Sequence, residues 1–418
     1  MKWSIRLLST RIRRKMNKTT RGKRWLLVLF VFGLAWICGC RSECPGSETG
    51  TVQTEAETDT SEKPCLVYEG SLKLQYAQNF TVDYYEGGYT LLTTTMDNAR
   101  FLLVPEEKEV PESTELAVID GQDAEREMVI LKRPVTNIYL VASAAMDSFD
   151  ALDGLGAVSF SGQREENWCI EGARQAMADG DIRYAGKYSK PDYEMIVSGN
   201  CSLAIENMMI SHSPKVVEKL EQFGIPVMIE YSSYESHPLG RVEWVKFYGA
   251  LLGKEAEAER IFEEQTTILE RVSAKEKTEK TVAFFFITSN GLVQVRQSND
   301  YVPKMIELAG GKYIFENLGD PETRRSTMNM QVEEFYAGAK DADFLIYNSS
   351  IDGGVADVAA LLDKCGVLAD FRAVKEGNVW CTTNDMYQQS LSTGYLIEDI
   401  HGMLQGEQKD MHYLFHLK

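Results

Sequence analysis

Short apolar segments alternate with helix-length segments twice along this chain, and one long helical passage separates the two series. In the first series the apolar stretches 137–142, 157–160, 203–205 and 226–230 alternate with helical stretches, 168–177 and 214–223 among them. In the second, Thr281 to Ile287, Phe344 to Tyr347 and Val379 to Thr382 take the strand role, with helices predicted over 301–308 and 390–404. Alternation at this spacing makes βαβ units, because parallel neighbours need a crossover long enough to hold a helix. The predicted fold class is therefore α/β, with two Rossmann-like lobes.

The passage between them runs from His237 to about Ser273, with Gly253 ending one helix and Glu255 opening the next. In the second helix Ala258, Ile261, Phe262, Gln265, Ile268, Leu269 and Val272 recur at three- and four-residue spacing. One face is thus apolar over about five turns, or roughly 30 Å. A single long helix joining two lobes is a strut, so lobe closure is expected to be small. Ahead of the first lobe, residues 66–133 alternate over short runs such as Phe80 to Tyr85 and Phe101 to Val104, broken by Gly87-Gly88, Pro105 and Pro111. That pattern predicts small β-hairpins. The expected organisation is a signal segment at 1–39, a tether at 40–65, a β-rich extension of the first lobe at 66–133, an N-terminal α/β lobe at 134–236, connecting helices at 237–276 and a C-terminal α/β lobe at 277–418.

The leader has its own chemistry. Residues 1–24 carry ten Lys or Arg and no acid, and an apolar run from Trp25 to Ile37 follows. This is the pattern of an export signal, and the run falls short of the roughly 20 residues that cross a bilayer as a helix. Ile37-Cys38-Gly39-Cys40 resembles a bacterial lipobox, which makes Cys40 the expected lipidated N-terminus; an ordinary signal peptide cut nearby is the alternative. From Ser42 to Pro64 there is almost no large apolar residue, so this stretch is read as a tether. The formal net charge is −18 and ten basic residues lie in the leader, so its removal leaves −28. Nucleic acid is then an unsuitable partner, since phosphate binding needs a basic face. Cys44, Cys65, Cys169, Cys201, Cys365 and Cys381 show no CxxC spacing and are read as single thiols, with a disulfide left open for an exported protein.

Catalytic signatures are missing from the sequence: there is no GxSxG, no HExxH and no phosphate loop, and Gly154-Leu155-Gly156 lacks the third glycine of a dinucleotide fingerprint. No cofactor is expected. In open α/β sheets ligands sit beyond the carboxyl ends of the strands, so the residues following each strand are the binding candidates. These are Ser143, Gln163, Trp168, Tyr188 and Tyr231 in the first lobe and Asn290, Arg296, Tyr301, Arg324 and Asn384 in the second, with Met146, Ser161, Glu206, Asn207, Arg325, Asn348 and Tyr387 near them. Aromatic walls with Arg suit a large anionic chelate through stacking and charge-assisted hydrogen bonds. Packing is the competing role for each aromatic, and a basic turn for Arg324-Arg325. Bare metal ions are not expected, because the chain has five His, and His412 and His416 lie in its tail.

Several phrases carry a resemblance over about residues 70–405. They are Leu131-Lys132-Arg133-Pro134-Val135, Pro191-Asp192-Tyr193-Glu194-Met195-Ile196, Leu251-Leu252-Gly253-Lys254-Glu255-Ala256, Tyr301 to Gly311, and Ala373-Val374-Lys375-Glu376-Gly377-Asn378-Val379. In this order they resemble the class III substrate-binding proteins of ABC importers, which include iron-siderophore, haem and vitamin B12 receptors. The resemblance implies an extracytoplasmic lipoprotein at the outer face of the cytoplasmic membrane that delivers a metal chelate, an iron-siderophore first, to a permease and its ATPase subunits. It also implies that Glu194 and Glu333, one per lobe, dock on the permease, with Glu334 as the alternative to Glu333. One departure loosens the register around Glu194: Ser198-Gly199-Asn200-Cys201 stands where the family has Pro-Asp before a strand. A surface-anchored enzyme of similar two-lobed fold is the alternative reading.

Overall fold

The computed structural model describes residues 66–112, 128–320, 325–407 and 411–418. The leader, the tether, Cys40 and Arg324 fall outside the described residues.

Five strands, β1 Tyr68–Ser71, β2 Phe80–Tyr85, β3 Tyr89–Thr94, β4 Ala99–Val104 and β5 Val129–Lys132, form one sheet in sequence order. Pairing is antiparallel up to β4, and β5 joins β4 in parallel. The β2–β3 hairpin closes through the three-residue loop 86–88, in which Gly87 and Gly88 take φ angles of 83° and 85° that glycine adopts without steric cost. Period-two alternation sorts the side chains. Phe80, Val82, Leu92, Phe101 and Leu103 enter the main core, while Tyr89, Leu91, Leu102 and Val104 form a smaller cluster on the other face.

The first lobe is built on β6 Ile138–Leu140, β7 Val158–Ser161, β8 Arg183–Tyr184, β11 Leu203–Asn207 and β12 Val227–Glu230, all parallel in the order β12-β11-β6-β7-β8. A small hairpin of β9 Gly186–Lys187 and β10 Lys190–Pro191 sits apart from that sheet. Helices α1 Ser143–Ala151, α2 Glu171–Ala178, α3 Tyr193–Ser198 and α4 Pro214–Gln222 make the crossovers. Where the expected Pro-Asp is missing, Gly199 and Asn200 do its work. A Cβ on Gly199 would meet the Phe160 ring at 2.2 Å, and Asn200 turns the chain at φ 54°. Asn tolerates that left-handed conformation better than most residues, so β11 still enters the sheet.

The second lobe holds β13 Thr281–Ile287, β14 Val293–Arg296, β15 Lys312–Tyr313, β16 Thr327–Met330, β17 Phe344–Tyr347, β18 Val379–Thr382 and β19 Leu414–His416. Their order is β16-β14-β13-β17-β18-β19, with β15 also on β13. The centre is parallel, but β14, β16 and β19 are antiparallel.

The helical passage folds back on itself as α5 Pro238–Leu252 and α6 Glu255–Ser273, with Gly253 in the left-handed conformation between them. A Cβ on Gly249 would lie 2.5 Å from that of Ala258, so glycine sets how closely the two helices approach. From Pro238 to Leu251 every residue of α5 except Arg241 is buried, which makes α5 a core helix rather than a surface one. The remaining helices are α7 Tyr301–Leu308, α8 Val332–Ala339, α9 Val358–Lys364, α10 Arg372–Glu376 and α11 Thr393–Gln405, the last packing along α6. Among the described residues no helix is long and apolar enough to cross a membrane.

Two carboxylates, Glu243 of α5 and Glu235 just ahead of it, fasten the extension. Glu243 is fully buried and accepts from the backbone N–H groups of Gln75, Tyr76 and Ala77 at 2.8–3.1 Å, with Lys246 Nζ 3.5 Å away. Glu235 accepts from the amides of Gln78 and Asn79 and from the Trp244 indole at 2.9–3.1 Å. Removing one partner of a buried charge cluster costs about 3–5 kcal/mol, because the other groups stay desolvated. Glu243→Ala is therefore expected to lower stability by that amount in chemical denaturation and to raise hydrogen exchange at amides 75–77. An unchanged midpoint would show that the contact is not stabilising.

Candidate functional site

The segments after β6, β7 and β12 of the first lobe face those after β14 and β18 of the second, and the groups between the lobes come from these loops and from the first turns of helices. On the second-lobe side Arg296 closes β14 and is 8% exposed. Its backbone is fixed by the Tyr313 hydroxyl, which accepts from Arg296 N at 3.1 Å and donates to Arg296 O at 2.8 Å. The guanidinium lies 3.5 Å from Asp300, donates to the Tyr387 hydroxyl, and stands within 6 Å of the rings of Phe284, Tyr301 and Tyr387. Asn348 Nδ2 donates to the same hydroxyl at 2.9 Å. Asp300 also caps α7 by accepting from Val302 N at 3.0 Å. In the loop after β18, Thr383 Oγ1 and Asp385 Oδ1 are buried without a hydrogen-bond partner. A guanidinium held among aromatic faces offers charge-assisted hydrogen bonds and stacking surface together.

The first lobe meets this wall directly. Gln388 accepts from Cys169 N at 2.7 Å and donates to Asn167 O at 2.8 Å. The Ser390 hydroxyl donates to Ala144 O at 3.0 Å, and Leu391 N donates to Asp147 Oδ2 at 2.8 Å. Arg241, the one residue of α5 before Leu252 that is not buried, lays its guanidinium 3.9 Å from the centre of the Tyr301 ring and donates to Ser233 O. The Arg241–Tyr301 stack separates two spaces. Behind it lies a water-sized pocket of about 20 Å³ between Tyr387, Ser390, Thr393 and Tyr413, and in front of it a groove of about 370 Å³ opens toward the N-terminal sheet.

Not all sequence candidates converge here. Arg296 and Tyr301 do, joined by Asn348 and Tyr387. Ser143 is half-buried at the start of α1, and Gln163 is half-buried in the turn after β7. Trp168 is buried, with its indole N–H on Ser161 Oγ at 3.1 Å, and Tyr231 is buried in the main core, so packing takes both. Tyr188 packs on the cluster around Tyr139 and Phe160. Asn290 is exposed in the β13–β14 hairpin, where its side chain accepts from Thr288, and Asn384 is exposed in the loop after β18. Arg324 lies outside the described residues, while Arg325 lines the groove. Glu194 and Glu333 are exposed in the first turns of α3 and α8. Arg241, Asp147, Asp300 and Gln388 were not visible as site residues in the sequence. Arg241 is one of three charged residues in α5, with Glu243 and Lys246, so none of the four left a signal there.

Two carboxyls are perturbed. Burial at the lobe junction pushes Asp147 up to about 7, against the pull of the Leu391 amide and with Asp150 adding to the rise. Glu206, near the end of β11, is fully buried with neither oxygen partnered, and burial pushes it up to about 8, which favours its protonated form. Cys201, Cys365 and Cys381 are buried free thiols and Cys169 an exposed one. Among the described residues no three His, Cys, Asp or Glu side chains are grouped to hold a metal ion.

Two α/β lobes joined through a long helix, with a cleft between the carboxyl ends of their sheets, define the class III periplasmic-binding-protein fold. A periplasmic haem-binding protein of Vibrio cholerae superposes with a TM-score of 0.52 at 16% identity, covering 64% of this chain and 98% of that one. A periplasmic haem-binding protein of Pseudomonas aeruginosa gives 0.51 at 17%, covering 66% and 95%. A periplasmic binding protein of Veillonella parvula gives 0.52 at 16%, covering 66% and 92%. No protein-family model matches the chain. An uncharacterized lipoprotein of Methanocaldococcus jannaschii is 24% identical over 400 residues, 91% of this chain and 92% of the relative. A second uncharacterized lipoprotein of the same organism is 26% identical over 413 residues, 95% of this chain and 100% of the relative.

The Asp147 contact has a defined pH sign. A carboxyl raised by burial binds its proton more tightly when the lobes are packed than when the chain is unfolded. Its destabilising contribution is absent below about pH 4, grows between about 4 and 7, and is complete above. Melting temperatures of the parent and of Asp147→Asn, measured from pH 5 to 8, are expected to diverge as pH rises to about 7 and to stay apart above it, with the variant the more stable there; curves parallel from pH 5 to 8 would contradict the assignment.

Proposed function

We propose that this protein is the substrate-binding lipoprotein of an ABC importer, anchored through Cys40 at the outer face of the cytoplasmic membrane. It takes a metal chelate between its lobes and hands it to a permease driven by ATPase subunits. The observation that carries this reading is the cluster of Arg296, Tyr301, Asn348 and Tyr387 in the cleft of a class III fold. An iron-siderophore is the first-ranked ligand, with haem or a corrinoid next. The names of the Vibrio and Pseudomonas neighbours support this class of cargo, and the names of the Methanocaldococcus relatives support lipidation. The neighbours are described as binding proteins, which favours capture over the enzyme alternative.

Delivery is assigned to Glu194 and Glu333. Each sits in the first turn of a short helix, where the dipole favours a carboxylate that stays open to a bidentate Arg of the permease. Ligand binding is tested by thermal shift of the detergent-solubilised full-length protein with a ferric hydroxamate, ferric citrate, haemin and cyanocobalamin. A ligand at a hundred times its Kd adds about 2.7 kcal/mol, and no shift with any of the four would oppose chelate capture. The double variant Glu194→Ala, Glu333→Ala is expected to abolish uptake while leaving affinity unchanged. Uptake at the parent rate would reject the docking pair.

A further inference from the structure

Two of the rings that flank the Arg296 guanidinium are tied to the first lobe. The Tyr301 ring lies 5.7 Å from it and stacks on Arg241 at 3.9 Å, and Arg241 in turn donates to Ser233 O. The Tyr387 ring lies 5.3 Å from it, and the Tyr387 hydroxyl accepts from both Arg296 and Asn348. The residues just after Tyr387 then bond to the other lobe. Gln388 accepts from Cys169 N and donates to Asn167 O, Ser390 donates to Ala144 O, and Leu391 N donates to Asp147 Oδ2. One short stretch, 387–391, therefore begins in the polar cluster of the second lobe and ends on the main chain and helix α1 of the first.

That stretch is stiff. Gln388 N and Gln389 N both donate to Asp385 O, at 2.8 and 3.0 Å, and Ser392 N donates to Gln389 O at 3.2 Å. The Thr393 hydroxyl donates to Ser390 O at 2.9 Å, and at the start of α11 the Gly394 amide donates to the Gln265 side chain of α6 at 2.9 Å. Turned on itself and anchored at its far end, the stretch passes a displacement of Tyr387 on to Gln388, Ser390 and Leu391 instead of absorbing it. The junction it reaches is balanced rather than locked, since burial disfavours the ionised Asp147 carboxylate that the Leu391 amide and the Ser390 side chain favour.

We propose that residues 387–391 couple the Arg296 cluster to the junction between the lobes: the bonds from Arg296 and Asn348 to the Tyr387 hydroxyl set the position of the stretch, and its position sets the bonds that fasten the lobes. A group that competes for Arg296 or Asn348 thereby loosens the junction. The use of this coupling by cargo rests on the capture reading, whereas the coupling itself does not.

Hydrogen exchange of the detergent-solubilised full-length protein, without added ligand, tests it on the parent, Tyr387→Phe, Asn348→Ser and Gln388→Ala. The amides of Cys169 and Leu391 report the junction, and those of Ala204 and Leu345, bonded within the two sheets to Pro226 O and Asn378 O, serve as controls. Gln388→Ala sets the rate at Cys169 for a broken junction. Tyr387→Phe and Asn348→Ser are expected to speed exchange at Cys169 and Leu391 tenfold or more and to leave the controls at parent rates. Parent rates at Cys169 and Leu391 in these variants would overturn the coupling, and so would equal acceleration at the controls, which would mark a loss of the whole fold. Asn348→Ser keeps a side-chain oxygen for the Ser350 amide that Asn348 caps, so it carries the test if Tyr387→Phe fails to fold. Because no cargo is used, failure here leaves chelate capture standing, and absence of a thermal shift with the four chelates leaves the coupling standing.

Discussion

Five consecutive backbone amides, 75 to 79, close on two buried carboxylates, and much of the molecule is positioned by that contact. Glu243 and Glu235 would be expensive to desolvate alone. Together with Lys246 and the Trp244 indole, the amides satisfy them. The result ties a β-sheet, a core helix and the rim of the cleft into one body. Without it the extension would meet α5 mainly through apolar packing, with the Arg133 guanidinium on Ala250 O as a remaining directional contact.

The cleft depends on a second balance. Arg296 is held by Asp300 and by aromatic faces, each interaction modest alone, while its main chain is clamped by Tyr313. On the proposed reading an anion would meet a guanidinium that is already oriented but partly neutralised, and would have to compete with Asp300 for it, which would favour ligands offering more than one oxygen.

The sequence displayed the fold more fully than the site. The strands at Thr281–Ile287, Phe344–Tyr347 and Val379–Thr382 were readable to the residue, because buried parallel strands are continuous apolar runs. The antiparallel strands β14, β16 and β19 were not, since they are three or four residues long and mix polar with apolar side chains. In the site, Arg296 and Tyr301 could be picked out as polar or aromatic residues in the second lobe's strand-following segments, yet the same logic selected Trp168 and Tyr231, which the core absorbs. An aromatic at a strand end serves either purpose, and only packing decides. Contacts of one side chain with another lobe's main chain, such as Gln388 with Cys169 and Asn167, leave no pattern in sequence at all.

Those same contacts bear on which positions of this chain can change over generations. Gln388, Ser390 and Asp147 each reach across the cleft to a peptide group, not to a side chain. The residues at 144, 167, 169 and 391 can therefore be exchanged without losing the bonds that bring the lobes together, provided the backbone keeps its course. Three positions carry these bonds between the lobes, and the residues whose main chain they meet are free to vary.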